Sequence, residues 1–96
     1  MQLVKHVREG KLILVIYDNS LVGTQVHDGI KQLDFTSSFY QGTEANKNEI
    51  EHLLNRAQFI HAAGSETITF LEQAGFPVKD TVTVIGGVPF IQLLQE

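Results

Sequence analysis

The chain reads as a small three-layer, doubly wound α/β domain with a mostly parallel sheet of four to five strands. Three observations predict this class. Residues 58–85 order themselves as strand, helix, strand; residues 11–17 form an apolar run that suits a central strand; and strand and helix patterns alternate along the rest. Ninety-six residues hold one core and no second, so residues 1–96 are expected to form a single domain.

Taken in order, Lys11-Leu-Ile-Leu-Val-Ile-Tyr17 is apolar at both alternating sets of positions, as in a strand covered on both faces. Met1 to Val7 reads as an edge strand paired with it across Glu9-Gly10, with a short helix as the alternative. Val22, Val26, Ile30 and Leu33 recur at helical spacing and predict a helix over 21–34, weakened by Gly23 and Gly29 at roughly 1 kcal/mol each. Phe35 to Gln41 reads as a strand with Phe35 and Phe39 on one face. Asn46, with Glu49 three positions on, resembles a capping box, and Ile50, Leu53, Leu54 and Ala57 form one stripe, predicting a helix over 46–57.

The second helix is bracketed by Ser65 as N-cap and by Gly75 and Pro77 as stop. Gln58 to Ala62 before it and Thr81 to Ile85 after it read as parallel strands. Gly86-Gly87 breaks the chain, and Pro89 suits the first turn of a last helix that buries Phe90, Ile91 and Leu94.

Composition narrows the function classes. Hydrophobic residues are 43% and charged residues 19%, as in ordinary globular proteins. The net charge of −4 and the interruption of Lys5, Arg8 and Lys11 by Glu9 leave no basic stripe, so no nucleic-acid partner is expected. Without cysteine there is no disulfide, thiolate nucleophile or cysteine-ligated metal. The apolar run near the start is too short for a signal peptide, and the longest run is far below the roughly 18–20 residues that span a bilayer. A cytoplasmic protein without a membrane partner is expected. A domain this small also makes a homo-oligomer a reasonable expectation.

Candidate chemistry gathers where strands end. Asp18, Asn19 and Ser20 follow the first long strand, where α/β folds place ligands; they serve a turn equally well. Gly64, Ser65 and Thr67 open a helix whose free N–H groups suit a phosphate or carboxylate, although capping alone also explains them and Glu66 would repel an anion. Among the four histidines no metal spacing occurs, so neither metal nor cofactor is expected. His61 reads as a satisfied core histidine. His27 is the candidate for acid–base or phosphoryl chemistry. The expectation is a binding or regulatory domain without catalysis of its own, holding a phosphorylated or anionic metabolite between Asp18-Asn19-Ser20 and Gly64-Ser65. A phosphocarrier using His27 and a homo-oligomeric interaction module are the alternatives.

Asp18-Asn-Ser-Leu-Val-Gly-Thr-Gln-Val26 resembles the Asp-x-Arg-Leu-Ile-His-Gly-Gln-Val loop of the IIB subunits of mannose/fructose/sorbose-type phosphotransferase systems, matching at Asp18, Leu21, Gln25 and Val26. The resemblance continues through Glu66, Leu71, Ala74-Gly75 and Pro77-Val78 to Gly86-Gly87. It implies an α/β fold and a link to sugar phosphotransfer. Gly23 stands where that family has its phosphate-accepting histidine, and Ser20 where it has arginine, so a relay at that position is chemically impossible. Ala62-Ala-Gly-Ser-Glu-Thr67 with Phe70 to Pro77 is also similar to methylglyoxal-synthase-like phosphate-binding domains, and to the iron–molybdenum-cofactor-binding family related to nitrogenase accessory proteins.

Overall fold

A computed structural model describes residues 1–95. In chain order the strands and helices are β1 (Gln2–Arg8), β2 (Lys11–Tyr17), β3 (Gln25–Asp28), β4 (Lys31–Asp34), β5 (Thr43–Glu44), α1 (Lys47–Leu54), β6 (Phe59–Ala63), α2 (Ser65–Gln73), β7 (Thr83–Ile85) and β8 (Val88–Leu94). Single 3-10 turns lie at Asn19–Leu21 and Ser38–Tyr40. Six strands form one sheet in the order β5-β1-β2-β6-β8-β7, while β3 and β4 pair separately.

The expected doubly wound, mostly parallel sheet is not what forms. Among the described strands only β2 and β6 run parallel; the other pairs in both sheets are antiparallel. Two helices cover one face, and a hairpin with a turn covers part of the other. The correction has local causes. Gly86 and Gly87 have φ of 55° and 83°, the pair of left-handed residues that a two-residue hairpin demands, so the chain reverses and 88–94 becomes β8 instead of a helix. Pro89 is tolerated in that strand because its carbonyl accepts from Gly64 N at 2.8 Å while β6 pairing ends at Ala63 opposite Phe90, leaving no partner that needs its missing N–H. Of Thr81 to Ile85 only the last three residues form a strand, and it lies at the sheet edge, antiparallel to β8.

The predicted helix over 21–34 is a 3-10 turn followed by the β3–β4 hairpin, which closes through Gly29 at φ 64°. Its supposed apolar stripe divides: Leu33 is buried, whereas Val22 is exposed and Ile30 fully so. Phe35 to Gln41 is not a strand; Phe35 and Tyr40 turn inward and Phe39 stays partly exposed. Expectations for the β1–β2 hairpin, both remaining helices and the parallel β2–β6 pairing agree with the structure. Asn46 Oδ1 accepts from Glu49 N at 2.9 Å at the start of α1. Gly75, at φ 93°, closes α2 with Phe76 N donating to the Leu71 carbonyl at 3.0 Å.

The period-two alternation of the strands sorts two cores. Leu14, Ile16, Ile60, Ala62 and Ile91 face Ile50, Leu54, Phe70 and Leu71 of the helices. Val4, Val15, Tyr17 and Ala63 face Leu33, Phe35, Tyr40 and Ile85 on the other side. Fully burying side chains of this size stabilises by about 1.5–3 kcal/mol each before conformational entropy is set against it.

Gly86 is where the small hairpin is clamped to the sheet: a Cβ there would overlap the Val26 side chain and approach the His27 carbonyl. Gly10, also at positive φ, has nothing within 4 Å of a Cβ. Gly86→Ala should therefore lower stability by about 2–4 kcal/mol in urea unfolding, against about 1–2 kcal/mol for Gly10→Ala, which carries only the backbone strain. Equal losses would show that the clamp is not tight.

Candidate functional site

At the carboxyl ends of the parallel pair, Asp18, Gly64, Ser65 and Thr67 come together. Asp18 Oδ1 accepts from Thr67 N at 2.8 Å and from Thr67 Oγ1 at 2.7 Å, and Oδ2 accepts from Glu66 N at 3.2 Å. Asp18 and Thr67 are both buried. Gly64, not Ser65, is the N-cap position, at φ 102°, and a Cβ there would overlap the Asp18 carboxylate. The positive end of α2 is thus occupied by a carboxylate of the chain itself, and a second anion would meet that charge. Asn19 faces away along the rim, accepting from Gln2 Nε2 at 3.0 Å and donating to Glu44 Oε1 at 2.8 Å. Ser20 and Ser65 are exposed. His27 is exposed on β3 opposite Gln32 and shares no hydrogen bond with Asp18 or Ser65 among the described residues.

The second face of the sheet offers different chemistry. Strand register lays His6, Ile13, Phe59 and Leu94 side by side across β1, β2, β6 and β8. The next row contains Val15, His61 and Gln92, and Arg8 and Lys11 stand opposite each other at the turn end. The hairpin and the turn that follows it cover the other half of this face, burying Val15 and most of His61, and leave the row from His6 to Leu94 partly open. His6, Arg8, Ile13, Phe59, His61 and Gln92, with Phe39 at one side, line a cleft of about 270 Å³.

The polar floor of this cleft is a short network. Tyr40 Oη lies 2.7 Å from His61 Nε2, and the Gln92 amide nitrogen lies 3.3 Å from Nδ1. Each ring nitrogen of His61 thus has a hydrogen-bonding partner. Tyr17 Oη donates to the Tyr40 carbonyl at 2.7 Å. His6 Nε2 donates to the Phe39 carbonyl at 3.0 Å, and the two rings stack with centroids 4.9 Å apart. Burial pushes His61 down from 6.5 to about 4, so the imidazole is neutral at pH 7. Burial, then the charges of Tyr17 and Asp34, pushes Tyr40 up to about 12, so the phenol keeps its proton. Neither group changes protonation near neutrality; the pair can hydrogen-bond a ligand but is poorly matched to proton transfer.

Sequence reasoning identified His61 as buried and satisfied, which it is, but did not see the cleft above it. Tyr40 and Gln92 were hidden by the strand expected over 35–41 and the helix expected at the end of the chain. The legible signal was the alternation Phe59, His61, Ala63, which puts aromatic and imidazole rings on one face.

Among the described residues, no group of three or more His, Cys, Asp or Glu side chains is placed to hold a metal ion. Among the described residues no helix is long and apolar enough to cross a membrane. Residues 6–95 match the model of a family described as "Protein of unknown function (DUF424)", and the chain belongs to that family. A solved structure described as the crystal structure of an uncharacterized conserved protein from Methanopyrus kandleri is similar in fold, with a TM-score of 0.79 and 22% identity over 96% of this chain and 88% of that one. No curated protein matches the chain.

Asp18→Ala should cost about 2–4 kcal/mol in chemical denaturation, because it strips partners from buried donors of the first helical turn. A loss below 1 kcal/mol would contradict that role. His61 gives a pH signature. Its folded-state value is depressed, so its stabilisation is whole above pH 6.5 and is lost as pH falls towards about 4. The loss should approach about 3 kcal/mol, and His61→Gln should flatten the stability profile between those pH values. An unchanged profile in the variant would exclude His61 as its source.

Proposed function

We propose that this member of the DUF424 family is a cytoplasmic binding domain for a planar, negatively charged ligand held on the open half of the second sheet face. One observation carries the reading: the cleft sets Arg8, His6, Gln92 and His61 beside the apolar side chains of Ile13 and Phe59. Apolar walls with a few convergent polar groups are what small-molecule sites commonly present. Phe59 and Phe39 offer ring surface for a flat ligand, Arg8 offers a charge to its anionic group, and the Gln92–His61–Tyr40 network offers fixed hydrogen-bonding groups. The rim around Asp18, where an anionic metabolite was expected from the sequence, is already filled by the Asp18 carboxylate, which favours the cleft as the site.

Thermal unfolding and NMR titration with a panel of aromatic carboxylates and mononucleotides test the reading. A ligand at a hundred times its Kd should stabilise the fold by about 2.7 kcal/mol. The shifted resonances should centre on His6, Phe59 and His61, and Arg8→Gln should weaken binding of the charged panel members about tenfold or more. Absence of any stabilisation or shift across the panel at millimolar concentration, or equal binding by Arg8→Gln, would overturn it.

A further inference from the structure

We infer that the occupant of this face is a single-stranded nucleic-acid segment, with one base in the cleft and the adjoining phosphates along Arg8, Lys11 and Arg56. The inference rests on the reading of the cleft given above and names its ligand class.

The β1–β2 turn carries Arg8 and Lys11 with Glu9 between them, and the fold brings the loop of Arg56 to the same end, so that cations outnumber carboxylates three to one among these four side chains. Arg8 and Lys11 face each other across the β1–β2 hairpin. The loop carrying Arg56 is tied to the same end, since Gln58 N donates to the Leu12 carbonyl at 3.0 Å and Leu12 N to Gln58 Oε1 at 2.7 Å. Asp18, Glu44 and Glu66 lie at the opposite rim. With principal dimensions of 33 × 28 × 25 Å, the molecule spans about three Debye lengths at about 0.1 M salt, so the carboxylates of the far rim are largely screened from this end. The row beside the cations is His6, Ile13, Phe59 and Leu94, of which Leu94 is 78% exposed. An aromatic and apolar sheet face flanked by cations is the combination that unstacked bases and their backbone require, and every base presents a flat ring to it. A base in a duplex is stacked and paired, and does not reach the cleft. A second copy of this chain would bring the same cations onto the same face, which disfavours self-association there.

Fluorescence anisotropy with labelled eight-nucleotide oligouridylate and oligodeoxythymidylate, alongside titration with uridine 5′-monophosphate and a labelled duplex, decides the matter. Both single strands should bind more tightly than the mononucleotide, with log Kobs falling against log salt at a slope of about −2 for three phosphates. Lys11→Gln and Arg56→Gln should each reduce that slope by about 0.7. Phe59→Leu, which retains apolar bulk, should weaken binding about tenfold through lost stacking. If the mononucleotide binds as tightly as the eight-mers and the slope ignores Lys11 and Arg56, the inference falls while the small-ligand reading stands. Equal binding of duplex, or no binding of either strand at 50 mM salt, also overturns it; the small-ligand reading is then judged by the aromatic-acid panel alone. Sedimentation showing a dimer that Leu94→Ser dissociates would assign the face to a second copy and overturn it as well.

Discussion

The Asp18 carboxylate accepts three hydrogen bonds from the first turn of α2, and much of the architecture depends on that contact. It joins the end of β2 to the start of the helix that follows β6, while Asp18 N donates to the Ala63 carbonyl at 3.2 Å. The parallel β2–β6 pair is thereby closed at its carboxyl end. Gly64 completes the joint: its positive φ and missing Cβ let the carboxylate reach the backbone donors. A side chain 46 residues upstream of Gly64 therefore supplies the cap that the helix's own first residues do not.

That joint has a consequence for function. The helix N-terminus at the end of a parallel strand is a general anion site, but here the protein supplies the anion. The positive potential is spent internally, and α2 becomes a rigid support for one face of the sheet. The covering layer of the opposite face is incomplete. The Ser38–Tyr40 turn ends that layer: Tyr40 anchors it on His61, and Phe39 stacks against His6 at its margin. The boundary between covered and open sheet is thus made of the same groups that line the cleft.

Local signals were legible where a pattern had one physical outcome. The Asn46 cap and the Gly75 stop each satisfy backbone groups within a few residues, the apolar run at 11–17 suits only a strand covered on both faces, and each forms as expected. The errors arise where one pattern serves two structures. Val22, Val26, Ile30 and Leu33 keep helical spacing, yet glycines at positions needing positive φ turn the segment into a hairpin. Pro89 after two glycines suits a helix start or an edge-side strand residue, and the Gly86–Gly87 turn decides between them.

The sequence by itself determined the hairpin at the amino terminus and the two helices, because hydrophobic periodicity, turn residues and capping act over short range. The parallel pairing of the strands around Val15 and Ile60 was legible from two apolar runs that suit neighbouring buried strands. Only the tertiary structure decided the sheet order, the capture of the α2 terminus by Asp18 and the alignment of His6, Ile13, Phe59 and Leu94 in one row next to Arg8. Those features join residues dozens of positions apart, and strand register, not local preference, sets which of them meet.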